Sequence, residues 1–138
     1  VPIPSDQLAA YRNAEYAVFT DDPFVLRVGE RSDRLDAMLE DAGVETAAFV
    51  TAANPAGMPA DARDNALSTE ALLNAQREAG YACLSGAGRD PLGAWPAEPS
   101  VLVLGISRRE AEILGRSYGQ NAIVFFEKGA AAELVVLV

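Results

Sequence analysis

The chain has 138 residues, half of them apolar, enough to bury a core and too apolar for a disordered segment. Twenty acidic residues against 11 basic ones leave a formal charge of −9, which disfavours a nucleic-acid backbone or an anionic membrane surface as partner. Histidine is absent and cysteine occurs once, so Ser-His-Asp and Cys-His catalysis, His-containing metal sites, multi-Cys zinc sites and internal disulfides are all excluded within one chain.

The length points to one domain over residues 1–138. The low cysteine count fits a reducing, cytoplasmic setting. Apolar runs such as Val101 to Ile106 are far shorter than the ~20 residues of a membrane helix. The opening Val1-Pro2-Ile3-Pro4 has neither the basic region nor the apolar run of a signal peptide.

In chain order, Ser5 is a candidate N-cap for a short helix to about Asn13. Tyr16 to Thr20 and Phe24 to Val28 read as a hairpin around Asp21-Asp22-Pro23. Ser32 to Ala42 is a helix, with Leu35, Met38, Leu39 and Ala42 on one stripe and Gly43 as its stop. Thr46 to Thr51 is a buried strand, followed by the loop Asn54-Pro55-Ala56-Gly57-Met58-Pro59. A helix over about 60–79 shows a small-residue face of Ala62, Ala66, Leu72, Leu73 and Ala79. Tyr81 to Ser85 reads as a strand, Gly86 to Pro99 as a long loop, and Ser100 to Leu104 as a buried strand. Ser107 caps a helix to about Tyr118, with Ala111, Leu114 and Tyr118 inward. Two strands, Ala122 to Glu127 and Glu133 to Leu137, close the chain.

The order is α-ββαβ-α-ββαββ. It predicts an α/β (mixed α+β) fold with a single mixed β-sheet of about six or seven strands and three main helices. A shift of 76 residues lays Val25-Leu26, Gly29, Gly43 and Phe49 on Val101-Leu102, Gly105, Gly119 and Phe125. Either this is a pseudo-two-fold repeat of βαβ units, 24–51 and 100–126, with a groove between them, or the two units share only their punctuation. Parallel strands would make both units right-handed, and a ferredoxin-like pairing of the two is the first alternative.

Several residues in order carry a resemblance: Tyr11-Arg12, Phe24-x-Leu26-Arg27-x-Gly29, Ala48 to Ala52 with Asn54-Pro55, Asn65 and Gly80-Tyr81. Trp95-x-x-Glu98-Pro99-Ser100, Leu104 to Ser107, Glu110-Ala111, Leu114-Gly115 and Tyr118 to Ala122 continue it. The chain resembles the bacterial domain-of-unknown-function family 3293 from Tyr11 to about Leu134. It departs from the family in the sparse polarity of residues 55–67. The resemblance implies a small stand-alone bacterial domain and carries no activity with it.

Three constellations are candidate sites. Thr51 and Asn54 follow a strand end, where α/β sites form, although Asn54 can equally cap its own turn. In Trp95-Pro96-Ala97-Glu98-Pro99-Ser100 the indole can floor a pocket, Glu98 can act as acid or base if an apolar wall raises its pKa, and Ser100 can donate a hydrogen bond. The alternative is a tryptophan that folds the loop down, with Glu98 bonding backbone N–H groups. Gln120 and Asn121 lie on the same sheet edge as Glu98 if the strands at 100–104 and 122–127 are parallel neighbours. Otherwise they form an ordinary helix-to-strand turn. Arg12 and Arg27 read as solvated ion-pair partners, Cys83 as core, and Asp21, Asp22, Asp33 and Asp36 as solvated acids matching no Ca²⁺ loop. Gly86-Ala87-Gly88 is no phosphate loop, since no Gly-Lys-Ser/Thr follows.

These residues support two functions: a module that binds a small molecule or a protein, and a small hydrolase or transferase with Glu98 as acid/base assisted by Thr51 or Ser100. Neither calls for a cofactor or metal. The apolar end Leu134 to Val138 is a candidate edge for pairing with a second copy. A Glu98 buried in a cleft without backbone partners favours the enzyme, and a Glu98 bonded by its own loop removes it.

Overall fold

The computed structural model describes residues 3–138; Val1-Pro2 of the opening Val1-Pro2-Ile3-Pro4 lie outside them. The elements are α1 (Ser5–Asn13), β1 (Glu15–Val18), β2 (Phe24–Leu26), α2 (Asp33–Ala42), β3 (Thr46–Thr51), a 3-10 turn at Pro55–Gly57, α3 (Ala62–Glu78), β4 (Ala82–Arg89), β5 (Glu98–Leu104), α4 (Arg108–Ser117), β6 (Ala122–Glu127) and β7 (Glu133–Val136). The fold is mixed α+β, with four α-helices rather than three main ones. The 3-10 turn after β3 also departs from the expected order. α1 starts at Ser5 after Pro4, with no side-chain cap, so Ser5 is its first residue and not its N-cap. Ser32 and Ser107 do cap α2 and α4, accepting from Leu35 and Glu110 N–H respectively.

The seven strands form one sheet in the order β2-β1-β4-β5-β3-β6-β7. Every neighbouring pair is antiparallel, so the sheet is not mixed. β5 and β6 run the same way but are separated by β3, and β2 and β3 are separated by three strands. The two proposed βαβ units therefore occupy unlike places. α2 packs on one face of the sheet and α4 on the other. What the units share is punctuation: Gly29 and Gly105 both have φ 86°, and Gly43 and Gly119 have φ 70° and 68°. The ferredoxin-like alternative appears elsewhere. The run β3-α3-β4-β5-α4-β6, with strand order β4-β5-β3-β6 and α3 and α4 on one face, is that βαββαβ arrangement. β1, β2 and β7 extend it at its two ends.

The sheet curls. Val28, just past β2, bridges Ala132, just before β7, through Gly29 N–H to Ala132 O at 2.8 Å and Ala132 N–H to Glu30 O at 3.0 Å. The two ends of the sheet thus meet at one corner, and the concave face encloses one apolar cluster. Leu35 and Leu39 of α2 fill part of it, beside Val18, Leu26, Leu102, Leu104 and Phe126. On the convex face Leu72 of α3 and Ala111 of α4 pack on Ala48, Val50, Val101, Val103 and Ile123. Cys83 belongs to this second cluster, where burial pushes its thiol pKa up. Among the described residues no helix is long and apolar enough to cross a membrane.

Residues 86–89 are strand, not loop. β4 pairs with β1 on one side as far as Arg89 and with β5 on the other as far as Gly88. Gly86 permits this: a Cβ there would lie 2.3 Å from the Ala17 carbonyl oxygen and 3.0 Å from the Phe49 ring. A Cβ on Gly88 would meet only the Tyr16 ring at 3.8 Å, ordinary contact. Gly86→Ala is expected to cost about 2 kcal/mol through overpacking, and Gly88→Ala less than half of that. Urea denaturation of both variants measures the difference, and equal losses would contradict the close approach at Gly86.

Candidate functional site

The antiparallel order brings the end of β3 and the starts of β5 and β6 to one edge of the sheet. Beyond that edge, where α2 does not reach, the concave face opens into a cavity of about 430 Å³. Tyr16, Phe49 and Val124 line it from the sheet, Gln7 and Tyr11 from α1, Asn54 and Ala60 from the β3–α3 loop, and Trp95 from the β4–β5 loop. Tyr16 and Phe49 meet edge to face, with ring centroids 5.2 Å apart.

Thr51, Asn54, Trp95, Glu98 and Gln120 all border this cavity; Ser100 and Asn121 do not. Ser100 is buried, and its hydroxyl donates to the backbone oxygen of Glu98 at 2.9 Å. Asn121 stands behind Tyr11, its Nδ2 donating to the phenol oxygen at 3.4 Å. The Thr51 hydroxyl is committed as well. It donates to Pro99 O at 2.6 Å and accepts from Ala53 N–H at 2.9 Å. Gln120 donates to Ala53 O and Tyr118 O and so fixes the loop that leaves β3.

Asn54 is the hub. It sits in the left-handed region at φ 46°, which asparagine tolerates better than most residues. Its Oδ1 accepts from Ala60 N–H at 2.9 Å and from Asn65 Nδ2 at 2.8 Å, while its own N–H donates to Asn65 Oδ1 at 2.9 Å. Its Nδ2 then points to Glu98 and donates to Oε2 at 2.6 Å. The backbone N–H of Ala60 fixes which end of the Asn54 amide is oxygen, so Glu98 necessarily faces the NH₂. Asn54 therefore does more than cap its own turn: it carries α3 and the carboxylate together.

Glu98 is the first residue of β5, paired with Gly88, rather than part of a loop. Among the described residues no backbone N–H bonds its carboxylate and no ion pair includes it. Burial raises its pKa above the ordinary carboxylate value, partly offset by the Asn54 hydrogen bond. Burial also raises the pKa values of Tyr16 and Tyr11, and the Glu98 charge adds to both shifts. Arg27, by contrast, pairs at the surface with Glu15 at 2.8 Å.

Four contributors were not expected from the sequence. Tyr11 and Gln7 form a wall, the Gln7 Nε2 donating to the Tyr11 phenol at 2.9 Å. Asn65 and Thr69 lie with Leu72 on the buried side of α3; of the expected inner face Leu72 and Leu73 do pack inward, whereas its small residues Ala62, Ala66 and Ala79 are exposed. The polar residues turn inward because each has a partner there: Asn65 bonds Asn54, and Thr69 donates to Pro99 O at 3.2 Å. The i, i+4, i+7 spacing of Asn65, Thr69 and Leu72 is the signal in the sequence, masked because two of the three residues are polar.

The family model described as a protein of unknown function, DUF3293, matches residues 50–123, just over half of the chain. The chain belongs to this family. The DUF3293 match runs from the end of β3 to the start of β6, and so includes Thr51, Asn54, Asn65, Trp95, Glu98 and Gln120. α1 and β1, which bring Gln7, Tyr11 and Tyr16, precede it. No curated protein and no solved structure matches the chain.

Asn54→Asp sets a second carboxylate against Glu98. The variant is expected to lose about 2 kcal/mol or more at pH 7, since an opposed buried pair cannot ionise freely. Near pH 4, where the pair holds a proton, most of the loss should return. Thermal melts from pH 4 to 8 check this. Adding Glu98→Gln should flatten the pH dependence, and a dependence that survives in the double variant would place its origin elsewhere.

Proposed function

We propose that this protein binds a small organic molecule in the cavity between α1, the β3–α3 loop and the open end of the sheet. The observation that carries this reading is Glu98. A carboxylate is held in a largely apolar cavity with, among the described residues, one neutral hydrogen bond and no cation. Burying a charge in this way costs stability, and a hydrophobic or amide residue would fold better there. Such a residue is what a ligand-recognition position looks like, because function is bought at the expense of the empty fold. Tyr16, Phe49 and Trp95 supply apolar surface, and the cavity volume lies in the range of small-molecule sites.

A second reading, a hydrolase or transferase, draws on the same residue. Among the described residues no backbone N–H bonds Glu98 where it faces the cavity, and its raised pKa suits a general acid or base. Thr51 and Ser100 are weak assistants for it, since both hydroxyls donate to backbone oxygens. Tyr11, which borders the cavity and feels the Glu98 charge, is the better-placed partner in that chemistry.

The two consequences of Glu98 are measured together. Its folded pKa lies above the unfolded value, so the penalty is absent below the unfolded pKa and complete above the folded one. Glu98→Gln is therefore expected to raise the melting temperature at pH 7 by a few degrees, about 1 kcal/mol. The gain should vanish near pH 4. In a thermal-shift screen against a metabolite library at pH 7, compounds that stabilise the wild type should lose at least tenfold in affinity in Glu98→Gln. Trp95→Ala should weaken the same compounds. Binding unchanged in both variants would remove the site.

A further inference from the structure

We infer that the occupant of this cavity is a small organic cation, an amine carrying its ammonium group on an aromatic or aliphatic body. The inference rests on the small-molecule reading above and narrows it to a chemical class.

The first ground is charge. Among the described residues Glu98 is the only charged one that borders the cavity and no lysine or arginine does; the chain has no histidine. An anionic ligand would enter a desolvated space against a fixed negative charge with nothing to neutralise it. A phosphate or carboxylate is repelled, while an ammonium gains a counter-ion that the protein withholds.

The second ground is the balance of donors and acceptors. Most side-chain NH₂ and hydroxyl groups at the cavity already make a hydrogen bond inside the protein. Asn54 Nδ2 goes to Glu98, Asn65 Nδ2 to Asn54, Gln120 Nε2 to two backbone oxygens, and Gln7 Nε2 to Tyr11. The Tyr16 hydroxyl donates to Tyr11 O and the Thr51 hydroxyl to Pro99 O. Acceptor capacity is left over on the second Glu98 oxygen, which is charged, and on the Gln120 carbonyl oxygen, whose amide is oriented by the two backbone oxygens its NH₂ meets. Neutral donor hydrogens stay open as well: the Trp95 indole N–H, the second hydrogens of the Asn54 and Gln7 NH₂ groups, and the Tyr11 hydroxyl hydrogen, the last on an oxygen that already accepts from Gln7 and Asn121. The charged member of this set is an acceptor and its open donors are neutral, so a group with several N–H bonds to give, such as an ammonium, makes the strongest hydrogen bonds available there.

The third ground is the aromatic lining. Tyr11, Tyr16, Phe49 and Trp95 all border the cavity that Glu98 charges. The faces of aromatic rings attract cations, more strongly when water is excluded, and the same rings accept the apolar body of an amine. Aromatic rings around a carboxylate serve both ends of such a molecule.

Three probes of nearly equal shape test the class: 2-phenylethylamine, 2-phenylethanol and 3-phenylpropanoate, titrated into the full chain at pH 7 by calorimetry or ligand-observed NMR. The amine is expected to bind at least tenfold more tightly than the alcohol, and the carboxylate not at all. In Glu98→Gln, with its fold checked by circular dichroism, the amine should fall to the level of the alcohol. A wider set of primary amines, run beside neutral and anionic analogues, covers the case of a poorly fitting phenyl body. If alcohols or carboxylates bind as well as amines in the wild type, the cation class is overturned while the small-molecule site stands. An amine preference that persists in Glu98→Gln also overturns it. If no compound of any charge binds, both readings fall.

Discussion

A single asparagine at the end of a strand holds this site in place. Asn54 leaves β3 in a left-handed conformation and turns the chain toward α3. Its carbonyl oxygen anchors the approach to α3 through Ala60 and Asn65, and its NH₂ grips the Glu98 carboxylate on β5. Three segments distant in sequence are locked by one planar amide, with both of its ends used. A neutral side chain does this without neutralising the carboxylate. An arginine there would satisfy Glu98 as an ion pair and close the site to a cationic visitor. The amide lends geometry and leaves the charge unspent.

The sheet determines where this lock can form. Antiparallel order puts strand ends and strand starts at one edge, so residues near 51, 98 and 120 meet without any local signal linking them. The curl brought about by Val28 and Ala132 turns the adjacent face into a hollow. α2 fills one part of that hollow with Leu35 and Leu39, and the remainder is the cavity. Had the sheet stayed flat, Tyr16 and Val124 would face solvent instead of each other's neighbourhood.

Much of this was legible from residues alone, and the failures have physical causes. Strand and helix positions follow from apolar periodicity and from glycine and serine punctuation, as at Ser32 and Gly43 around α2. Thr51, Asn54, Trp95, Glu98 and Gln120 could be named because polar groups at strand ends stand out. Strand pairing was not legible, since a buried strand such as 46–51 reads the same beside parallel or antiparallel neighbours. The extent of β4 was obscured by Gly86 and Gly88, which look like loop residues and here serve a close strand approach. Asn65 and Thr69 escaped because a polar residue on a helix is expected to face water, and only the tertiary fold gives each a partner. Tyr11 needed the placement of α1, an element with no buried residue of its own.

The residue after Asn54 is Pro55. Asparagine ages in proteins mainly by ring closure, when the nitrogen of the following residue attacks the side-chain amide and ammonia is lost. Proline's nitrogen in a peptide bond carries no hydrogen and cannot complete that reaction. The amide on which three segments depend is thus shielded, by its neighbour's chemistry, from slow conversion into an acid that would confront Glu98. A site built around an uncompensated carboxylate keeps its neutral partner neutral for the lifetime of the molecule.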